Sequence, residues 1–256
     1  MLSTPRDLLI ASFRFYRSHL WIFVGYTAWM LLPMMGFILM EYILGETPLF
    51  WLVILMTAIQ AVLSLWITIC LIHCVIQIKK NQPFNPNQLS LEALRRIQPL
   101  LIVSILQFLI VVGGMLLLII PGILFWIRYA FAQQAVIIDK KNPKEALALS
   151  KSLVEGRFWK VLGRLVLGPL VIGLTYAVVL GTIVFILGSL LGIDTETLFS
   201  DDPVIWVQII ENIGDIFIIP LLIIYSVFLY EELKISPSGK DSSKTLPKLE
   251  KEPTVA

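Results

Sequence analysis

"IQPLLIVSILQFLIVVGGMLLLIIPGILFWIRYAFAQQAVII" (residues 97–138) carries one charge, Arg128. A single helix of that length would run roughly 60 Å, about twice the roughly 30 Å thickness of a bilayer's hydrocarbon core. Pro121 and Gly122 offer a break, because proline removes a backbone donor and glycine frees the backbone. The stretch therefore predicts a tight hairpin, with crossings over about 97–120 and 122–138. The returning arm is close to the shortest length that can cross.

The rest of the chain has the same character. Of its 256 residues, 57% are hydrophobic and 15% charged, against about a quarter charged in ordinary soluble domains. Four further apolar runs, about 19–41, 49–78, 159–191 and 204–230, are long enough to cross. The predicted class is an all-α integral membrane protein with six transmembrane helices and short amphipathic cytoplasmic helices. Residues 1–234 form the six-helix domain, and residues 235–256, rich in Ser, Pro, Lys and Glu, form a disordered cytoplasmic tail.

Charge sets the sidedness. Arg6, Arg14 and Arg17 precede the first run, and Lys79, Lys80, Arg95 and Arg96 follow the second. Lys140, Lys141, Lys144, Lys151, Arg157, Lys160 and Arg164 lie between the fourth and fifth, and Lys234, Lys240, Lys244, Lys248 and Lys251 follow the sixth. The alternate connections hold Glu41, Glu46, Asp194, Glu196, Asp201 and Asp202 and no base. By the positive-inside rule both termini are cytoplasmic, and the expected location is the cell (inner) membrane. Arg128 is the one base that this topology does not explain.

The first residues do not read as a cleavable signal peptide, since charges continue to Arg17 and no small-residue cleavage site follows. They predict an amphipathic helix with Thr4 as N-cap and Pro5 at the first helical position. Residues 142–156 predict a second short helix, with Asn142 as N-cap, Glu145 at the capping-box position and Gly156 as the stop. Its apolar face (Ala146, Leu149, Leu153) would lie on the membrane surface or under the bundle. Residues 85–99 predict a third, ended by Pro99. Pro33, Pro169 and Pro220 would kink runs one, five and six. Ala177, Gly181, Gly188 and Gly192 share one side of the fifth run, where small residues allow close helix approach, inside the chain or in a dimer.

Three ionisable residues fall at membrane depth: Arg128, Glu211 and Asp215. Each is costly there, by about 2.5–3.5 kcal/mol for Arg or Asp at a helix centre. Gln208, Glu211, Asn212 and Asp215 share a helical face. Arg128, Gln208, Glu211 and Asp215 therefore form a candidate intramembrane polar cluster, with Arg128 expected to pair with Glu211 or Asp215. Three readings are open: a pair that fixes helix register, a pocket for a lipid headgroup or small anion, and a proton or ion path. Thr57, Gln60, Ser64 and Thr68 form a polar stripe on the second run that could line such a pocket or form a helix–helix seam.

Cys70, His73 and Cys74 fall on one face, but tetrahedral zinc wants four ligands and the chain's other His is His19, so no metal or other cofactor is expected. No HExxH sequence and no Ser–His dyad in a glycine-rich setting occurs. NIGD (212–215) lacks the second membrane aspartate that a dyad needs. The chain is expected to be non-enzymatic and not to bind nucleic acid.

Residues 121–167, PGILFWIRYAFAQQAVIIDKKNPKEALALSKSLVEGRFWKVLGRLVL, resemble a group of prokaryotic six-helix membrane proteins. The group includes the membrane domain attached to some glycerophosphodiester phosphodiesterases, and stand-alone relatives. The shared pattern is the Pro-Gly hairpin, Arg128 in the next helix, Glu145-Ala146-Leu147 with Ser150, then Gly156 and Trp159. The closing run Phe228-Leu229-Tyr230-Glu231-Glu232 also fits. The resemblance implies a six-helix cell-membrane protein and imports no catalytic residue. The expected role is membrane organisation or an accessory function, through membrane lipids, other membrane proteins or a second copy. The alternative is a small-molecule or lipid transporter with a pocket around Arg128, Glu211 and Asp215.

Overall fold

The computed structural model describes residues 3–44, 50–82, 86–193, 195–198 and 204–236. Among them helix accounts for 90% and no strand occurs. The predicted tail after residue 236 lies outside the described residues, as do Glu46, Asp194, Asp201, Asp202 and the side chains of Glu41 and Glu196.

Helix α1 (Pro5–Ser18) begins with the expected cap. Thr4 Oγ1 accepts from the Asp7 N–H at 3.2 Å, Asp7 reciprocates on the Thr4 N–H, and Pro5 needs no donor in the first turn. The chain breaks at His19 and continues as α2 (Leu20–Thr27), a short 3-10 turn (Ala28–Met30) and α3 (Leu31–Leu44). Helices α4 (Phe50–Lys79), α5 (Pro86–Leu117), α9 (Phe158–Leu190) and α11 (Ile205–Ile235) are long. With Leu20–Met40 they give five helices, among the described residues, that are long and apolar enough to cross a membrane. The protein is in this sense a membrane protein.

Helix α5 runs unbroken through Pro99, which corrects the expectation of a short helix ending there. Proline costs one intrahelical hydrogen bond and bends the helix, but it does not force a stop where flanking turns pack.

The hairpin forms, with its apex three residues before the expected break. Leu118 is the extended residue (φ −163°, ψ 147°), and α6 (Ile119–Tyr129) begins immediately after it. Pro121 then sits in the first turn, where its missing N–H has no intrahelical partner to lose. Gly122 serves close approach rather than turning. A Cβ there would lie 2.9 Å from Met115 Cα, and one on Gly114 would lie 3.0 Å from Gly122 Cα.

The returning arm is not one helix. It breaks at Ala130 and Phe131 and resumes as α7 (Ala132–Ile138), which is buried almost throughout. Helix α8 (Pro143–Val154) starts without a side-chain cap from Asn142, and Glu145 faces Lys141 at 3.9 Å instead, so the capping box does not form. Gly156 (φ 81°) ends α8 as expected. Helix α8 packs on the bundle, the second of its two expected positions: Ala146, Leu147, Ser150, Leu153 and Val154 are buried against α5, α6 and α7.

The core is concentrated at one end. It gathers Ile67–Val75 of α4, the first half of α5, α7, α8 and the last turns of α11. Ion pairs ring this end: Lys79–Glu231, Lys140–Glu92 at 2.6 Å and Lys234–Asp139 at 2.5 Å. At the other end a small cluster centres on Val184, Leu198 of α10 (Thr195–Leu198) and Val207.

Candidate functional site

The predicted cluster does not assemble as expected. Glu211 and Asp215 lie on an exposed face of α11, where Tyr176 of α9 reaches them. The Tyr176 hydroxyl lies 3.0 Å from Asp215 Oδ1 and 3.1 Å from the Glu211 carbonyl. The Gln208 carbonyl accepts from Asn212 Nδ2 at 2.7 Å. Arg128 is exposed on α6, and among the described residues no ion pair joins it to Glu211 or Asp215. Helical rise, counted from Gly122 and from the start of the sixth run, puts Arg128 and Glu211 at similar depths, but depth does not fix which helices are neighbours. Helix α6 packs chiefly on α5, α8 and α9.

What the Arg128 region does offer is its backbone. The break after Tyr129 frees peptide groups that would be costly to leave unpaired away from water. Ser150 of α8, fully buried, completes them: its hydroxyl donates to the Arg128 carbonyl at 2.8 Å and accepts from the Phe131 N–H at 3.1 Å. The polar groups of α7 then set its register. Gln133 donates to Ser104 at 3.3 Å and Gln134 to Ser226 at 3.3 Å.

The same device recurs at Pro220. Proline removes the donor for the carbonyl four residues earlier, Ile216. The buried Thr27 hydroxyl donates to that carbonyl at 2.8 Å, tying α2 to α11. At the end where the core is concentrated, Arg157 is buried, 9% exposed. Its guanidinium donates to the carbonyls of Leu153 (2.7 Å), Leu233 (2.5 Å) and Ser236 (3.0 Å), and so caps the C-termini of α8 and α11 together. Burial draws its pKa below the usual arginine value.

Two tyrosine–glycine latches join α9 and α11. Tyr225 of α11 lies over Gly168 and donates to the Arg164 carbonyl at 2.7 Å. Tyr176 of α9 lies over Gly214. Of the small residues predicted to form one packing face, Gly188 meets Leu198, whereas Gly181 faces open space. The polar stripe of α4 turns on its own helix: Thr57, Ser64 and Thr68 donate to the carbonyls of Val53, Ala61 and Ser64.

Two cavities bring chemistry-bearing groups together. A polar pocket of about 250 Å³ at the same packed end is lined by His73, Gln77, Lys80, Gln82, Glu92 and Lys140. His73 Nε2 and Gln77 Oε1 are buried without a hydrogen-bond partner among the described residues. Cys70 and Cys74 are buried and free on the same helix. A larger apolar cleft of about 910 Å³ lies between α1, α9 and α11, and Arg14, Tyr16 and Arg17 stand on its α1 wall.

These features were missed for a common reason. Thr27, Ser150 and Arg157 act on backbone groups of distant helices, and sequence spacing reports side-chain faces rather than peptide groups left unpaired. The one available signal was Pro220, which announces a free carbonyl without naming its partner.

No curated protein and no solved structure matches the chain. A family model described as a domain of unknown function, DUF7847, matches residues 88–233. The match takes in Ser150, Arg157 and both tyrosine–glycine latches, and leaves out α1 to α4. The chain therefore belongs to the DUF7847 family.

Proposed function

We propose that the protein is a non-enzymatic, six-pass component of the cell membrane, with both termini cytoplasmic, that acts through contacts with lipids or other membrane proteins. The observation that carries this reading is the convergence of separate basic blocks at one end of the bundle. Lys79 ends α4, Lys140 follows α7, Lys234 lies in the last turn of α11, and Arg164 holds the Ser3 carbonyl at 2.6 Å, all at the packed end. Positive charge gathered at one end of a membrane bundle favours a cytoplasmic position for that end. The sixth crossing is supplied by α6 and α7 in succession, stitched by Ser150. Membrane organisation or an accessory role suits a bundle whose outer surface is apolar. Kinship with the membrane domain of glycerophosphodiester phosphodiesterases belongs to the same proposal. The transporter alternative is less well supported, because Arg128 stands apart from Glu211 and Asp215.

Single cysteines placed at Glu46 and Ser242, in a Cys70→Ala/Cys74→Ala background, test the topology with a membrane-impermeant maleimide. Glu46→Cys is expected to label in intact cells, and Ser242→Cys only after permeabilisation; the opposite pattern overturns the orientation. Proteoliposomes with a trapped pH dye test the alternative. No proton flux above empty vesicles is expected, and a flux abolished by Asp215→Asn would replace this reading with a transporter.

A further inference from the structure

The cleft between α1, α9 and α11 combines three features that its neighbours do not. It is largely apolar and has a volume of about 910 Å³, inside the roughly 300–1,000 Å³ typical of ligand pockets. Its α1 wall carries two guanidiniums, Arg14 and Arg17, and neither makes an ion pair or hydrogen bond among the described residues. Tyr16, only 6% exposed, lines the same wall, and its hydroxyl is buried without a hydrogen-bond partner. A buried hydroxyl without a partner is uncommon in a native structure and calls for an explanation. The larger cleft of about 1160 Å³ beside Trp21, Trp29 and Trp66 has no cation in its lining.

The placement of α1 supplies the geometry. Its start is fixed at the packed end, where Ser3 meets Arg164 and Glu232. Phe15 packs on Phe228 at the same end, with ring centroids 5.2 Å apart. The cleft extends from α1 along α9 as far as Val179, about 22 Å beyond Arg164 by helical rise. Apolar walls thus run deep into the bundle from a mouth with cationic side chains on an amphipathic helix. Three acids on these helices are hydrogen-bonded elsewhere: Asp7 to Thr4, Glu232 to Ser3 and Asp215 to Tyr176.

We infer that this cleft binds one anionic membrane phospholipid, its acyl chains between α9 and α11 and its phosphate on Arg14 and Arg17. The Tyr16 hydroxyl donates to a phosphate or ester oxygen, which gives it the partner it lacks. Arginine suits this role because its planar fork matches phosphate, and its stem packs on apolar surface. The binding site rests on the lipid-contact reading above and makes it specific: α1 becomes a clamp over a bound lipid.

The test is photocrosslinking in phosphatidylcholine nanodiscs with phosphatidylglycerol that bears a diazirine in its acyl chain. Mass spectrometry is expected to find the label near Phe13, Thr175 and Phe217, displaced by unlabelled phosphatidylglycerol and not by phosphatidylcholine. Arg14→Gln/Arg17→Gln should reduce cleft labelling roughly tenfold or more, since each basic side chain near an anionic surface contributes on the order of fivefold. Arg14→Lys/Arg17→Lys should retain most of it. If the glutamine variant does not fold, Tyr16→Phe serves, with an expected loss of a few-fold. Labelling that is unchanged in the variants, or displaced equally by inorganic phosphate, overturns the site. Selective labelling elsewhere on the bundle overturns the site but leaves the lipid-contact reading standing. Equal labelling with both headgroups everywhere removes both.

Discussion

The two ends of the bundle are built differently. At the packed end, Ile67–Val75 of α4 are nearly all buried, as are α7 and most of Ile224–Leu233 of α11. At the opposite end α9 buries only Val184 and Gly188 in its second half, and α4 buries nothing between Phe50 and Trp66. The packed end is also where the returning arm is interrupted, at Ala130–Phe131, and where α8 and α11 end. An interruption leaves peptide groups to satisfy, and the side chains that satisfy them come from other helices. Packing and polar completion therefore coincide. Towards the opposite end α4, α9 and α11 run as long helices whose peptide groups are mostly satisfied within themselves, the Ile216 carbonyl completed by Thr27 being an exception.

If this contrast is correct, the largest loss follows from Arg157→Ala. It strips three carbonyls of their donor at once, and unfolding in detergent should show a cost of about 3 kcal/mol or more. Arg157→Lys should recover only part, because an ammonium does not reproduce the fork. Next comes Gly168→Ala. Its Cβ would fall 2.0 Å from Tyr225 Cζ, so the ring must move and its bond to Arg164 must break. A cost of about 1–3 kcal/mol is expected. Gly181→Ala on the same helix meets nothing within 4 Å and should change the melting point little or raise it slightly. Equal costs at the two glycines would dissolve the contrast. Thr27→Val keeps shape and removes the donor to Ile216, so about 1–2 kcal/mol should be lost. Replacing Pro220 with Ala as well should reduce that loss, because the carbonyl regains an intrahelical partner.

Much of the fold was legible in the sequence because hydrophobic run length and charge placement are linear properties. The apolar runs, the Thr4 cap, the hairpin and the Gly156 stop all follow from local chemistry. The break inside the returning arm was not legible. RYAFAQQ contains neither glycine nor proline, and the break persists because Ser150 arrives from another helix to complete it. Pro99 misled in the opposite sense, since a strong local breaker is absorbed by a packed helix. The site suffered from the same limit. Helical rise gave depths for Arg128 and Glu211, but the facing of each helix depends on packing that a spacing rule does not contain. Arg157 was read as one more loop base, although it is the arginine that the structure buries.

Side chains that complete interrupted helices fasten this bundle, and among the described residues no ion pair through Arg128 does so. A double-mutant cycle on unfolding, with Arg128→Gln and Asp215→Asn, tests it most directly. The two effects should add to within about 0.5 kcal/mol, as for distant sites. A coupling above about 1 kcal/mol would contradict the account and restore the intramembrane pair.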